Sequence, residues 1–227
     1  FYPNNYLYIS QYLGNLENYD VYNRFTSEVN SFINIFEQQP EVILVDNENL
    51  LSFILEDYPL HEGFEYLSDV HKADYLRTYF MYHHGGGYSD IKPCSWDWNP
   101  YFDALENSTA FGIGAPEDEG ELSVTPRQRP LLGKHWDKLM TNDLYIFKPY
   151  TAFTAKWYHK MISIMDEKLP LLKEHPAKNS REAADTYVTQ YPIQWGELLL
   201  EVFHPLCYQY TDRLIKTMPY PVTINYR

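Results

Sequence analysis

Lys72-Ala-Asp-Tyr-Leu-Arg-Thr-Tyr-Phe-Met-Tyr-His-His-Gly-Gly-Gly-Tyr-Ser-Asp90 is the stretch whose reading decides the fold of this 227-residue chain. Ser68 or Asp69 ahead of it offers N-cap chemistry, and the apolar spacing predicts a helix over roughly 71–83. On that helix Ala73, Leu76 and Phe80 share one face, and Asp74, Arg77 and Met81 share another. Three successive glycines allow positive φ and close backbone approach, so they end the helix and turn the chain into a short strand over 88–91. The triplet lacks the Gly-Lys-Ser/Thr of a phosphate-binding loop. It also closes a helix where a dinucleotide fingerprint would open one. Taken alone, the glycines read equally as a helix C-cap. Asp74 with Arg77 likewise reads as an i,i+3 surface pair, worth a few tenths of a kcal/mol (about 0.2–0.5).

Working outward, Tyr6-Leu-Tyr-Ile9 is aromatic and β-branched and predicts a strand. Residues 18–38 carry helical spacing that Pro40 stops, and Glu41-Val-Ile-Leu-Val45 predicts a buried strand. Asp46 and Asn47 can cap a short helix near 49–55. Further on, 96–105 reads as a short helix, 110–114 as a strand and Leu144-Tyr-Ile-Phe147 as a late strand. Residues 151–169 and 195–203 read as amphipathic helices. Alternating strands and helices imply an α/β class with a mostly parallel, Rossmann-like sheet flanked by helices. The length suits one domain over 1–227.

Composition bounds the partners. A net charge of −13 disfavours nucleic acid and anionic membranes as general partners. A diphosphate ligand would therefore need local cations or a metal. Aromatic residues reach 17%, with 22 tyrosines, which permits stacking on sugars or bases and equally suits strands and core. Two cysteines, Cys94 and Cys207, are too few for a disulfide framework or structural zinc, and point to a reducing, cytoplasmic setting. No apolar run approaches the ~20 residues of a membrane span, and no signal-peptide pattern opens the chain.

Asp74, Arg77, Gly86, Gly87, Tyr88 and Asp90 resemble the core motif of DXD glycosyltransferases of the GT-A fold, in particular glycosyltransferase family 32 and capsular-polysaccharide sugar transferases. The family pattern is Ala/Ser-Asp-x-x-Arg, a helix ending in Tyr-x-x-Gly-Gly, then Tyr-x-Asp-x-Asp. Weaker echoes at Val42-Ile-Leu-Val45, Asn49 and Asn142 extend the likeness over about residues 40–160. The resemblance implies a GT-A-like single domain, with 1–110 as its nucleotide-sugar-binding half and 111–227 as its acceptor-side half, that moves a sugar from a nucleotide-sugar donor, a UDP-sugar first, to a glycan or polysaccharide acceptor. It implies that Asp74 and Arg77 grip the donor sugar, and that Asp90 holds a divalent metal (Mn²⁺ or Mg²⁺) and the donor. Gly86, Gly87, Tyr88 and Ser89 would complete the donor site, with Ser10, Gln11 and Tyr12 near the base.

This sequence departs from the motif at Lys92, which stands where the second Asp belongs. Lys92 could replace the metal's charge, point away from it, or leave Asp97 or Asp103 to complete the site. Trp195, Glu197 and His204 are candidates for the acceptor or a lid, competing with ordinary core or surface roles. His83 and His84 lack the third ligand that zinc needs. Two rival readings explain less: a tyrosine-rich carbohydrate-binding module without catalysis, and a degenerate transferase-like scaffold.

Overall fold

The computed structural model describes residues 6–9, 41–90, 96–120, 122–183 and 189–220. Among these residues six strands form one sheet: β1 (Tyr6–Ile9), β2 (Glu41–Leu44), β3 (Gly86–Ser89), β4 (Gly112–Pro116), β5 (Met140–Phe147) and β6 (Leu214–Lys216), in the order β2-β1-β3-β5-β4-β6. The β1–β2, β1–β3 and β4–β6 pairings are parallel. β5 is antiparallel to both β3 and β4, so the sheet is mixed. The α/β class expected from sequence is therefore observed, with one reversed strand at the centre. The expected helix over 18–38 lies outside the described residues.

The helices among the described residues are α1 (Asp69–His83), α2 (Asn99–Glu106), the single turn α3 (Arg129–Leu132), α4 (Ala152–Glu174) and α5 (Leu200–Gln209). Ser68 caps α1 by accepting the His71 N–H. Thr151 caps α4 in a reciprocal capping box with Thr154. The expected 49–55 helix is a 3-10 turn, Leu50–Phe53. The strand expected over 88–91 begins two residues earlier, at Gly86.

β5 shows why its run looked uniformly apolar. Tyr145 and Phe147 pack into one core with Tyr75, Tyr79, Trp157 and Phe203, from α1, α4 and α5. Leu144 and Ile146 point the other way, into a smaller cluster with Trp98, Phe102 and Leu105 around α2. Side chains alternate along a strand, so a strand covered on both faces loses its polar positions. Helix α1 is enclosed almost all round, because it packs between the sheet and α4; even its polar Asp74, Arg77 and Thr78 are buried.

The triglycine turn is steric in origin. Gly85 and Gly86 adopt φ of +67° and +88°. A Cβ at Gly85 would lie 2.5 Å from Pro149 Cδ and 2.9 Å from the Phe147 carbonyl oxygen. Only glycine fits there without displacing the β5–α4 junction. The turn aims β3 so that Asp90 emerges beside the middle of α1.

Candidate functional site

Register builds the site. β3 and β5 pair Tyr88 with Tyr145 and Ser89 with Leu144, and the Asp90 N–H donates to the Asp143 carbonyl at 2.8 Å. Tyr88 and Tyr145 stack at 5.4 Å on the α1 side of the sheet. Into that face α1 delivers Asp74 and Arg77, one turn apart.

Arg77 is the hub. Its guanidinium lies 4.1 Å from the Tyr88 ring centroid. Nη1 donates to the Asn142 carbonyl at 2.9 Å. Nη2 stands 3.4 Å from Asp74 Oδ1 and 3.7 Å from Asp90 Oδ1. Asp90 Oδ1 also accepts the Tyr88 hydroxyl at 2.8 Å. Nε of Arg77 is buried with no hydrogen-bond partner among the described residues. One guanidinium thus organises two carboxylates and an aromatic face, a use that suits its planar, multi-donor fork.

The electrostatics follow from burial. Desolvation pushes the Asp74 carboxyl up to about 6; Arg77 opposes this and Asp90 adds to it. Burial alone would lower the pKa of Arg77, but Tyr88, Asp74, Tyr145 and Asp90 outweigh it and raise the value. Burial likewise keeps the Tyr88 and Tyr145 hydroxyls protonated. Both carboxylates face the Arg77 guanidinium. Asp90, its side chain 18% exposed, is the member most open to solvent.

The remaining expected residues distribute as follows. Ser89 is buried and donates its hydroxyl to the Asp90 carbonyl at 2.7 Å. Gly86 and Gly87 stand at the opposite end of β3, paired with Phe147 and Ile146, where they serve the turn and the sheet. Ser10, Gln11, Tyr12 and Lys92 lie outside the described residues. Trp195 is 48% exposed. Glu197 accepts the Gln194 N–H at 2.9 Å and pairs with Lys168 at 3.3 Å, so its carboxylate is occupied in a turn. His204 is fully buried, its Nε2 3.1 Å from Glu117 Oε1, in a network that Ser123 completes by donating its hydroxyl to Glu117. That histidine ties α5 to the residue that follows β4. Burial pushes His83 down to about 4 among Tyr58, Tyr79, Tyr82 and Tyr158; His84 Nε2 lies 2.8 Å from the Phe53 carbonyl.

Sequence reasoning missed Tyr145 and Tyr191. Tyr145 reads as one more aromatic in an apolar strand until register sets it beside Tyr88. Tyr191 OH bonds His71 Nδ1 at 2.9 Å and accepts the Ser68 N–H at 3.3 Å, fastening the Trp195 segment to the start of α1. No local pattern signals a contact across that separation.

A family model described as the HypF Kae1-like domain matches residues 1–53, under a quarter of the chain and none of the Asp74–Asp90 site. No curated protein and no solved structure matches the chain.

Proposed function

We propose that the chain is a glycosyltransferase that moves a sugar from a nucleotide-sugar donor, UDP-linked first, to a glycan acceptor. The observation that carries this reading is the convergence of Asp74, Arg77 and Asp90 at the end of β3, with Tyr88 beneath the guanidinium. These are the residues on which the likeness to the DXD glycosyltransferases rests, and they are contiguous in space as well as in motif spacing. The α/β sheet with helices on both faces is compatible with the GT-A-like architecture that likeness implies.

Catalysis would be positioning and leaving-group stabilisation. Asp74, buried and incompletely compensated, is a strong acceptor for a sugar hydroxyl. Arg77 holds Asp74 and Asp90 in fixed relation, and Asp90 presents its carboxylate at the open edge. Among the described residues no three His, Cys, Asp or Glu side chains gather as a metal cage. Asp90 alone fits a hard divalent cation in the mode where water and phosphate oxygens supply the other ligands. Mn²⁺ or Mg²⁺ held there by Asp90 would neutralise the departing diphosphate.

The test is a thermal-shift and turnover screen of UDP- and GDP-sugars with and without Mn²⁺. Stabilisation by UDP with metal, and donor turnover lost in Asp74→Asn, is the expected result. A chain that binds free oligosaccharide but neither nucleotide nor nucleotide sugar would be a carbohydrate-binding module, and this proposal would fail.

A further inference from the structure

The end of the sheet away from Asp90 carries a second gathering of polar aromatic side chains. β3 starts at Gly86 opposite Phe147, where β5 stops, so the last turn of α1 and the residues leading into α4 meet there. His83 lies six residues beyond Arg77, about 9 Å along the helix axis. Its imidazole is 4% exposed and is packed by four tyrosine rings, with centroids at 4.3 Å (Tyr79), 4.6 Å (Tyr58), 4.6 Å (Tyr82) and 4.9 Å (Tyr158). Tyr150 stands edge-on to His83 at 6.2 Å and to Tyr82 at 5.2 Å. Its φ of +55° is a left-handed conformation that bulky residues rarely adopt. The Tyr150 N–H donates to the Tyr82 carbonyl at 3.1 Å, which holds the strained residue against the end of α1.

This cluster is rich in hydrogen-bonding atoms that the fold leaves unused. Both ring nitrogens of His83 are buried and have no hydrogen-bond partner among the described residues. Of the five tyrosines, Tyr79 alone uses its hydroxyl within them, donating to the Tyr58 carbonyl and accepting the Leu55 N–H. The hydroxyls of Tyr58, Tyr82, Tyr150 and Tyr158 make no hydrogen bond within the described residues. Burial raises the pKa of Tyr150 and of Tyr158, and the Tyr58 and Tyr82 hydroxyls raise both further, which sets the four hydroxyls in one neighbourhood. Tyr58 and Tyr150 are 45% and 59% exposed, so the cluster opens to solvent at these two rings. Its lining is uncharged: five phenols, and a histidine kept neutral by burial first and then by His84 and His159.

We propose that the cluster is a saccharide-binding site, separate from the Asp90 site, at which Tyr58 and Tyr150 grip an uncharged pyranose ring above His83. It does not depend on the transferase reading. A pyranose presents an apolar C–H face to a phenol ring, and a rim of hydroxyls that both donate and accept. That combination matches rings set beside unused hydroxyls. A purely apolar occupant would strand those polar atoms away from water, at a cost for each. A proline-rich segment also stacks on tyrosines, but its prolines have no N–H and supply acceptors alone. Neutral His83 needs a donor as well as an acceptor. A phosphate or carboxylate would lose water here and gain no counter-charge from the lining. Exposed side chains change rotamer readily, so a swing of the Tyr58 ring suffices to bring a sugar hydroxyl to the imidazole.

The test is calorimetric titration of maltotriose, mannotriose, chitotriose and decaproline against the whole chain, with neither nucleotide nor metal present. At least one trisaccharide should bind with a Kd of about 1 mM or below, and the His83 ring resonances should shift on saturation. Y58A/Y150N should weaken that binding about tenfold or more at an unchanged thermal midpoint, because both rings are exposed and asparagine tolerates positive φ. Y58F/Y150F, which keeps the rings and drops the hydroxyls, should fall between. D90N should bind the trisaccharide as the wild type does. Failure of all three trisaccharides, with or without capture of decaproline, would overturn the proposal. So would full affinity in Y58A/Y150N, or loss of binding in D90N. Turnover of nucleotide sugars is a separate readout. A chain that turns over donor but binds no trisaccharide loses this inference alone. One that binds trisaccharide through Tyr58 and Tyr150 but never turns over donor loses the transferase reading alone.

Discussion

Asp74→Asn should leave the protein at least as stable as wild type at pH 7 while abolishing donor turnover. The side chain keeps its shape, so the change removes the charge and turns one acceptor oxygen into an NH₂ donor. In the folded protein burial moves the Asp74 carboxyl from 3.8 to about 6 despite the Arg77 guanidinium 3.4 Å away. A carboxyl raised in this way contributes stability that is fully present below its unfolded value and lost as pH climbs through the folded one. At 1.36 kcal/mol per pKa unit, the ionised form therefore costs the fold up to about 3 kcal/mol at pH 7. Asparagine avoids that cost, and the attraction to Arg77 that it gives up is already contained in the net shift. The expected gain lies between about zero and 3 kcal/mol, equivalent to as much as roughly 6–12 °C in melting temperature for a domain of this size. It should shrink to nothing as pH falls from 6 towards 4, where Asp74 in the wild type is protonated. Burial also pushes His71 and His83 down to about 4, so both proteins lose stability as pH falls from 6.5. The difference between variant and wild type, measured by urea unfolding from pH 4 to 8, cancels that shared loss. An Asn variant that is less stable than wild type at pH 7 by more than about 1 kcal/mol, with a gap that persists at pH 4, would refute the argument. It would make Asp74 a net stabilising ion-pair partner, and its burial would cease to mark a functional site.

Two further outcomes test the scaffold around this cluster. Arg77→Met should strip the shared cation from two carboxylates and lower unfolding free energy by about 3–5 kcal/mol at pH 7, read by urea denaturation, with less loss at pH 4 where Asp74 is protonated. Gly85→Ala combines φ +67° with a contact 2.5 Å from Pro149, and should cost about 1–3 kcal/mol or more by thermal unfolding, with donor affinity falling as β3 is displaced.

Much of this protein was legible before folding was considered. Local chemistry determines the Ser68 cap, the α1 helix, the glycine turn and the brief β3 strand, because each depends on residues within a few positions of one another. The same locality makes Asp74, Arg77 and Asp90 recognisable as a set. Helical spacing and a tight turn leave little freedom in where they go. What tertiary structure alone decided is what those residues meet. The reversal of β5 makes the sheet mixed and sets Tyr145 beside Tyr88, which no period in either strand reveals. The packing of α1 onto the β3–β5 face buries Arg77 against Tyr88 and the Asn142 carbonyl, where it holds two carboxylates together; the resemblance read it as a direct grip on a sugar. His204 and Glu197, free to reach an acceptor on a linear reading, are taken up by Glu117 and Lys168. The Trp195 segment is fastened to the start of α1 only because Tyr191 meets His71 across 120 positions. Such long-range pairings depend on which surfaces the whole chain must bury together, and that information is distributed over the sequence without being visible in any one segment of it.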